Sequence, residues 1–299
     1  MRIAFVVGIF PAASETFIIN QIVDLRERGV DVEVFAFQRG SGEGISDRAR
    51  GITAHYLDMP SNKFLRILKA IPKLIRLLRY PKILRRLSVL HNRFIFQAEP
   101  FAGKTFDLVH CHFGTIATGY LIIKDIVGIT APIVTTFYGY DASKIFQEQP
   151  ADVYDRLIRE SSYFLAMSQN MKERMVAHGF PADRVRVLPV SIDVDSYPFA
   201  RREPAGKPHI LSVGRFVEKK GFDDLFRALA IVKKKIDFTC TIVGGGPLEM
   251  ELKKLVDDLG LHDSIDFRGY IKIEEIIQFM LTAHLFVQPS KTAKNGDME

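Results

Sequence analysis

Residues 209–250 read HILSVGRFVEKKGFDDLFRALAIVKKKIDFTCTIVGGGPLEM. An apolar run from His209 to Val213 leads into a glycine-bearing loop, then into Phe222 to Lys233, whose apolar residues recur at helical spacing. A second apolar run, Phe238 to Val243, ends on Gly244-Gly245-Gly246-Pro247. Short buried strands alternating with amphipathic helices are the pattern of a parallel α/β sheet, because the crossover helices cover both of its faces. The series continues with a helix over Leu248 to Leu259, a strand over Ser264 to Phe267, a helix over Ile273 to Leu281 and a strand over Leu285 to Gln288.

Upstream the same alternation appears once already. Strands are predicted at Arg2 to Val7, Asp31 to Phe37, Asp107 to Cys111, Pro132 to Thr136, Tyr163 to Ala166 and Arg184 to Leu188. Thr16 to Arg28 reads as a helix stopped by Gly29. Between the two series, Arg201 to Pro208 is polar, with two prolines and a glycine, and reads as a linker. The expected architecture is α/β, with two doubly wound Rossmann-like domains: residues 1–200, a linker at 201–208, and residues 209–299. The 92 residues from Pro208 to Glu299 are few for a domain, and they end in a polar loop after a strand, where the next helix is expected. A second domain left incomplete, in a fragment of a longer protein, is the expectation.

The 299 residues carry 41 Lys and Arg against 35 Asp and Glu, a formal charge of +6. That excess is local. Ten basic residues and no acid lie between Lys63 and Arg93, leaving 31 basic against 35 acidic elsewhere. Cys111 and Cys240 each sit in an apolar run, which fits a reducing compartment better than a disulfide framework. The N-terminus runs straight into a core strand, and no apolar run approaches the ~18 residues that span a bilayer. A cytosolic location is expected, with association at the inner face of the membrane allowed by the basic segment.

Ligands of open α/β sheets bind at the carboxyl ends of the strands. There, Gly214 and Arg215 leave one strand, and Lys219 and Lys220 precede a helix, so cations and a helix N-terminus together suit a diphosphate. Lys219 reads better as a solvated loop residue. The three glycines fit either close approach of a ligand or a tight turn, with Pro247 as the first helical residue. They do not form G-x-G-x-x-G, which argues against a nicotinamide or flavin enzyme. His110 and His112 flank Cys111 and are read as pointing to opposite sides, one toward the ligand edge and one buried; with no third ligand they make a poor metal pair. Asp193-Val-Asp195 is read as turn chemistry. The nucleophile elbow, the phosphate loop and paired C-x-x-C motifs are missing, which removes common hydrolase, ATPase and zinc readings.

VGRFVEKKGFDDLFRAL, IVGGGPLEMELKKL, IDFRGYI and LFVQPS, together with the upstream FPAASETFIINQI, HCHFG, TTFYGYD and LAMSQNMKERMVAHGFPADRVRVLPVSIDVDSYPF, resemble the retaining glycosyltransferases of the GT-B fold, group 1, family 4. Within that family the stretches are similar to members that build exopolysaccharides, such as colanic acid. The resemblance implies two domains facing across a cleft and transfer of a sugar from a nucleotide-sugar donor to a glycan or lipid-linked acceptor. Retention of configuration, and no metal or other cofactor, are implied with it. Arg215 and Lys220 would hold the donor diphosphate, Gly245 and Gly246 would line the donor pocket, and Gly269-Tyr270 would approach the base. His112 would sit near the sugar and the acceptor hydroxyl. Ser14, Glu15 and Thr16 would face the cleft, as would Tyr138, where the family commonly has histidine, and Asp141. Glu299 matches the first of a pair of donor-site glutamates separated by seven residues; the second would lie past the last residue, so weak or absent donor binding is expected of this chain.

Between Lys63 and Arg79 the cations recur every three or four residues, with apolar residues filling between them. Pro72 and Pro81 are expected to break the segment into two or three short helices. It would either pack its apolar face on the core with its charges in water, or lie on anionic lipid, where each cation contributes roughly 1 kcal/mol. The membrane reading is preferred. The alternative class, a non-catalytic binding module that grips lipid or nucleic acid through 63–93, is disfavoured for nucleic acid because the segment lacks interleaved aromatics.

Overall fold

The computed structural model describes residues 1–42, 44–80, 93–192, 194–199 and 206–298. Two compact units emerge: Met1–Pro11, Gln21–Ser41 and Gly51–Val190 form the first, and Ala12–Asn20, Gly42–Arg50 and Ser191–Glu299 the second.

The first unit is built on a seven-stranded sheet, β1 (Arg2–Phe10), β2 (Asp31–Arg39), β3 (Ala54–Tyr56), β4 (Leu108–His112), β5 (Ile133–Phe137), β6 (Tyr163–Ala166) and β7 (Val185–Val187). Its order is β3-β2-β1-β4-β5-β6-β7, with parallel pairing throughout. The reversal of strand order between β1 and β4 makes it doubly wound. Ile3 to Val7 are buried on both faces, as the unbroken apolar run of β1 requires. Helices α1 (Thr16–Glu27), α2 (Lys63–Leu77), α3 (Arg93–Ala98), α4 (Gly114–Val127), α5 (Lys144–Glu148), α6 (Asp155–Glu160) and α7 (Gln169–Ala177) connect these strands. Helix α4 buries Ala117, Tyr120, Leu121 and Ile123 and ends on Gly128, whose φ of 72° closes the last turn onto the Lys124 carbonyl.

In the second unit, β8 (His209–Val213), β9 (Thr239–Val243), β10 (Ile265–Phe267) and β11 (Leu285–Phe286) form a parallel sheet of order β10-β9-β8-β11. Helices α8 (Phe222–Lys233), α9 (Glu249–Asp258) and α10 (Ile273–Thr282) alternate with them. Phe216, Phe222, Phe226, Ile242 and Leu252 build its core.

The sequence reading differs from this structure at several elements. Strand β3, only three residues long, escaped it. Pro247 precedes α9 by two residues and is not its first residue. Helix α2 runs unbroken through Pro72, which forgoes one backbone bond without ending the helix. Pro81 and the rest of 81–92 lie outside the described residues, as do 201–205 of the expected linker. The core-packed alternative for the apolar residues of α2 holds in part: Ala70 and Leu77 are buried and Leu74 packs with them against the core, while Phe64, Leu65, Ile67, Leu68, Ile71 and Ile75 are exposed.

Candidate active site

At the carboxyl edge of the second sheet, three loops are tied together through the backbone. Gly214 N–H donates to the Val243 carbonyl at 2.9 Å, Phe216 N–H to the Gly245 carbonyl at 2.9 Å, and Gly244 N–H to the Gly269 carbonyl at 2.8 Å. The Tyr270 hydroxyl also donates to the Gly245 carbonyl, at 2.8 Å. A Cβ on Gly244, whose φ is 133°, would lie 1.9 Å from the Gly214 carbonyl oxygen, and one on Gly245 would lie 2.8 Å from the Tyr270 ring. These glycines are therefore demanded by the packing of the loops on one another. Arg215 leaves β8 at this edge with its side chain exposed.

Lys219 and Lys220 occupy a 3₁₀ turn, Glu218–Lys220, before α8. Lys219 is not a solvated loop residue: its ammonium donates to Asp297 Oδ1 at 3.1 Å and is largely enclosed. The first turn of α8 carries Asp223 and Asp224, both paired with Lys291 at 2.8 Å. The positive end of that helix is thus already faced by two carboxylates of the chain itself. Glu15, in the 12–20 segment of this unit, has a buried Oε2 without a hydrogen-bond partner among the described residues. Burial pushes its carboxyl up to about 7, with Arg215 pulling the other way. Ser14 is exposed, and Thr16 begins α1. Glu299 lies outside the described residues.

In the first unit, β4 and β5 end side by side. His110 and His112, two residues apart on β4, share one face, and their rings stack with centroids 4.3 Å apart; the opposite-side reading misapplied the strand period. Both are buried. His110 Nε2 bonds Thr136 Oγ1 at 2.7 Å, and burial lowers its basicity to about 4. His112 Nδ1 bonds the Tyr138 hydroxyl at 2.8 Å, while its Nε2 is buried without a partner among the described residues. Burial first, and the neighbouring His110 second, hold His112 well below the usual histidine range, so it stays neutral. Phe113, which follows it, has a φ of 73°, a backbone strain of about 1–3 kcal/mol for a residue other than glycine.

Asp141 does not face a ligand edge. It is fully buried, its Oδ1 accepting from the N–H groups of Tyr138 and Gly139 at 3.0 Å and its Oδ2 from that of Gly114 at 2.9 Å. It holds the β5 loop to the start of α4. Burial pushes its carboxyl up to about 6, against the pull of the three amides. Tyr138→Phe is expected to leave His112 Nδ1 buried and unbonded, at a cost of about 1–3 kcal/mol in urea denaturation. In the same variant and in the parent chain, the His112 ¹⁵N resonances should stay in the neutral form from pH 6 to 8.

Residues 14–196, more than half of the chain, match the family described as Glycosyltransferase Family 4, and residues 193–296 match Glycosyl transferases group 1. The chain belongs to glycosyltransferase family 4. Over its whole length this family 4 chain is 31% identical to the amylovoran biosynthesis glycosyltransferase AmsK of Erwinia amylovora, covering 78% of that protein. It is 26% identical to the putative colanic acid biosynthesis glycosyltransferase WcaL of Escherichia coli strain K12, again over the whole chain and 78% of the relative. Among solved structures, Anabaena Alr3699/HepE in complex with UDP and glucose superposes with a TM-score of 0.64 at 18% identity, over 98% of this chain and 75% of that one. The fold is GT-B, and the chain is a glycosyltransferase.

Two features of the site were missed in the sequence. The Tyr138–His112 bond joins two strand ends that are 26 residues apart. The acid pair in the first turn of α8 was visible as Asp223-Asp224 in the same stretch that marked Lys219 and Lys220.

Proposed function

We propose that this glycosyltransferase moves a sugar from a nucleotide-diphosphate donor to a glycan or lipid-linked acceptor, with retention of configuration and without a metal. The observation that carries the reading is exposed Arg215 at the edge where the loops after β8, β9 and β10 are bound to one another. A guanidinium there can offset the charge that grows on the departing diphosphate, so the step needs no metal for that task. Lys220, on the next turn, supplies a second cation, and Gly245, Gly246 and Tyr270 line the approach. Neutral His112 offers Nε2 as a hydrogen-bonding atom to the sugar or the acceptor hydroxyl. The complexes of HepE with UDP and glucose support a nucleotide-sugar donor, and the names of AmsK and WcaL support a polysaccharide acceptor. The reaction is proposed to run in the cytoplasm at the inner face of the membrane, with 63–93 as the contact to anionic lipid. None of the described helices is long and apolar enough to cross a bilayer.

A screen of UDP- and GDP-sugars checks this reading, run on a chain that carries both donor-site glutamates, since weak or absent donor binding is expected of residues 1–299 alone. Release of the nucleoside diphosphate from one of them, unchanged by EDTA, is expected, with the donor's anomeric configuration kept in the product by NMR. Loss of turnover in EDTA overturns metal independence, and an inverted linkage overturns retention.

A further inference from the structure

The sequence leaves open whether the basic segment meets lipid through its charges alone. Helix α2 exposes Phe64, Ile67, Leu68, Ile71 and Ile75, with Leu78 just after its end, at 49–74% of their surface. At 100° per residue these six fall within one strip about 100° wide. The strip cannot roll inward. Ala70 and Leu77 are buried on another side of the helix, and Glu99 holds it through Lys73 and through Arg76, the latter at 2.6 Å. Lys63 borders one edge of the strip, on a stem long enough for its charge to stay with headgroups while the methylenes lie on apolar surface, and exposed Arg79 follows the helix at its far end with its guanidinium beside Gly103 and Tyr80. The described part of the segment contains no acid that would oppose an anionic surface.

The geometry points to insertion: α2 lies in the plane of one anionic leaflet with this strip sunk among the acyl chains. This rests on the membrane reading above and adds a hydrophobic contact to the electrostatic one. A helix of fifteen residues is about 22 Å long, too short to span a bilayer but suited to lying along it. An apolar strip with a cation at one edge and another at its far end matches an acidic headgroup layer over hydrocarbon in both charge and polarity.

The chain has no tryptophan, so Ile71→Trp at an exposed position gives a single reporter. With vesicles of phosphatidylglycerol and phosphatidylcholine, its emission should shift to the blue and be quenched by lipids brominated on the acyl chain. In the otherwise unaltered chain, Leu68→Ser with Ile71→Ser should weaken vesicle binding on the order of 30-fold, while circular dichroism stays unchanged. Part of the parent chain's binding should survive about 0.5 M NaCl, where surface charges are screened. Binding that vanishes in salt, with no blue shift and no effect of the double serine variant, overturns insertion and leaves the electrostatic reading standing. Failure to bind anionic vesicles overturns both. A blue shift without vesicles that grows with protein concentration assigns the strip to a second copy of the chain and overturns the proposal.

Discussion

Arg215→Ala is expected to lower sugar transfer by about 10²–10³-fold, the loss typical when a single group that stabilises transition-state charge is removed. The effect should fall mainly on kcat, because the charge it meets is largest as the diphosphate departs. Arg215→Lys should recover only part of the rate, since an ammonium cannot offer the planar fork that grips two phosphate oxygens. Lys220→Ala should cost less. Removing Arg215 also removes the charge that pulls Glu15 down, so the Glu15 carboxyl should keep its proton to a higher pH than the present value of about 7. Steady-state kinetics across pH 6 to 9, with circular dichroism as a check on folding, would measure both changes. Turnover within about threefold of the parent would remove Arg215 from the donor site.

How far the sequence can be read depends on whether a role is local. Strands β6 and β8 and helix α8 fall where the pattern predicts because each is bounded by its own turn residues, such as Gly214 after β8 and Gly221 before α8. Strand β3 is three residues long, too short for a period to show, and pairs along β2 at the edge of the described sheet. Periodicity revealed the apolar strip of α2 but not what lies against it, because a helix wheel carries no information about neighbours distant in sequence. His110 and His112 were recognised as site candidates at a strand end, yet their shared burial and their separate partners, Thr136 and Tyr138, depend on the pairing of β4 with β5. Arg215 was legible because its position follows from one strand alone. Asp141 was not.

Asp141→Ala should be among the most destabilising substitutions in the first unit. It strands three buried N–H groups, those of Gly114, Tyr138 and Gly139, and loosens the start of α4 from the β5 loop. A loss of about 3–5 kcal/mol is expected near pH 5. Asp141→Asn keeps the shape but offers one acceptor oxygen in place of two, so a smaller loss is expected. The pH dependence separates the two effects of the carboxyl. Burial raises it from 3.8 in the open chain to about 6 in the folded one, so the folded protein holds this proton more tightly. Its contribution is fully present below about 3.8 and is lost as pH rises through about 6. The stability gap between the parent chain and Asp141→Asn should therefore be widest near pH 4 and narrow by on the order of 2–3 kcal/mol by pH 7. Urea denaturation of both proteins at half-unit steps measures that difference with every other titrating group common to the pair. A gap that stays constant with pH would mean that Asp141 is ionised throughout, with the three amides outweighing its burial.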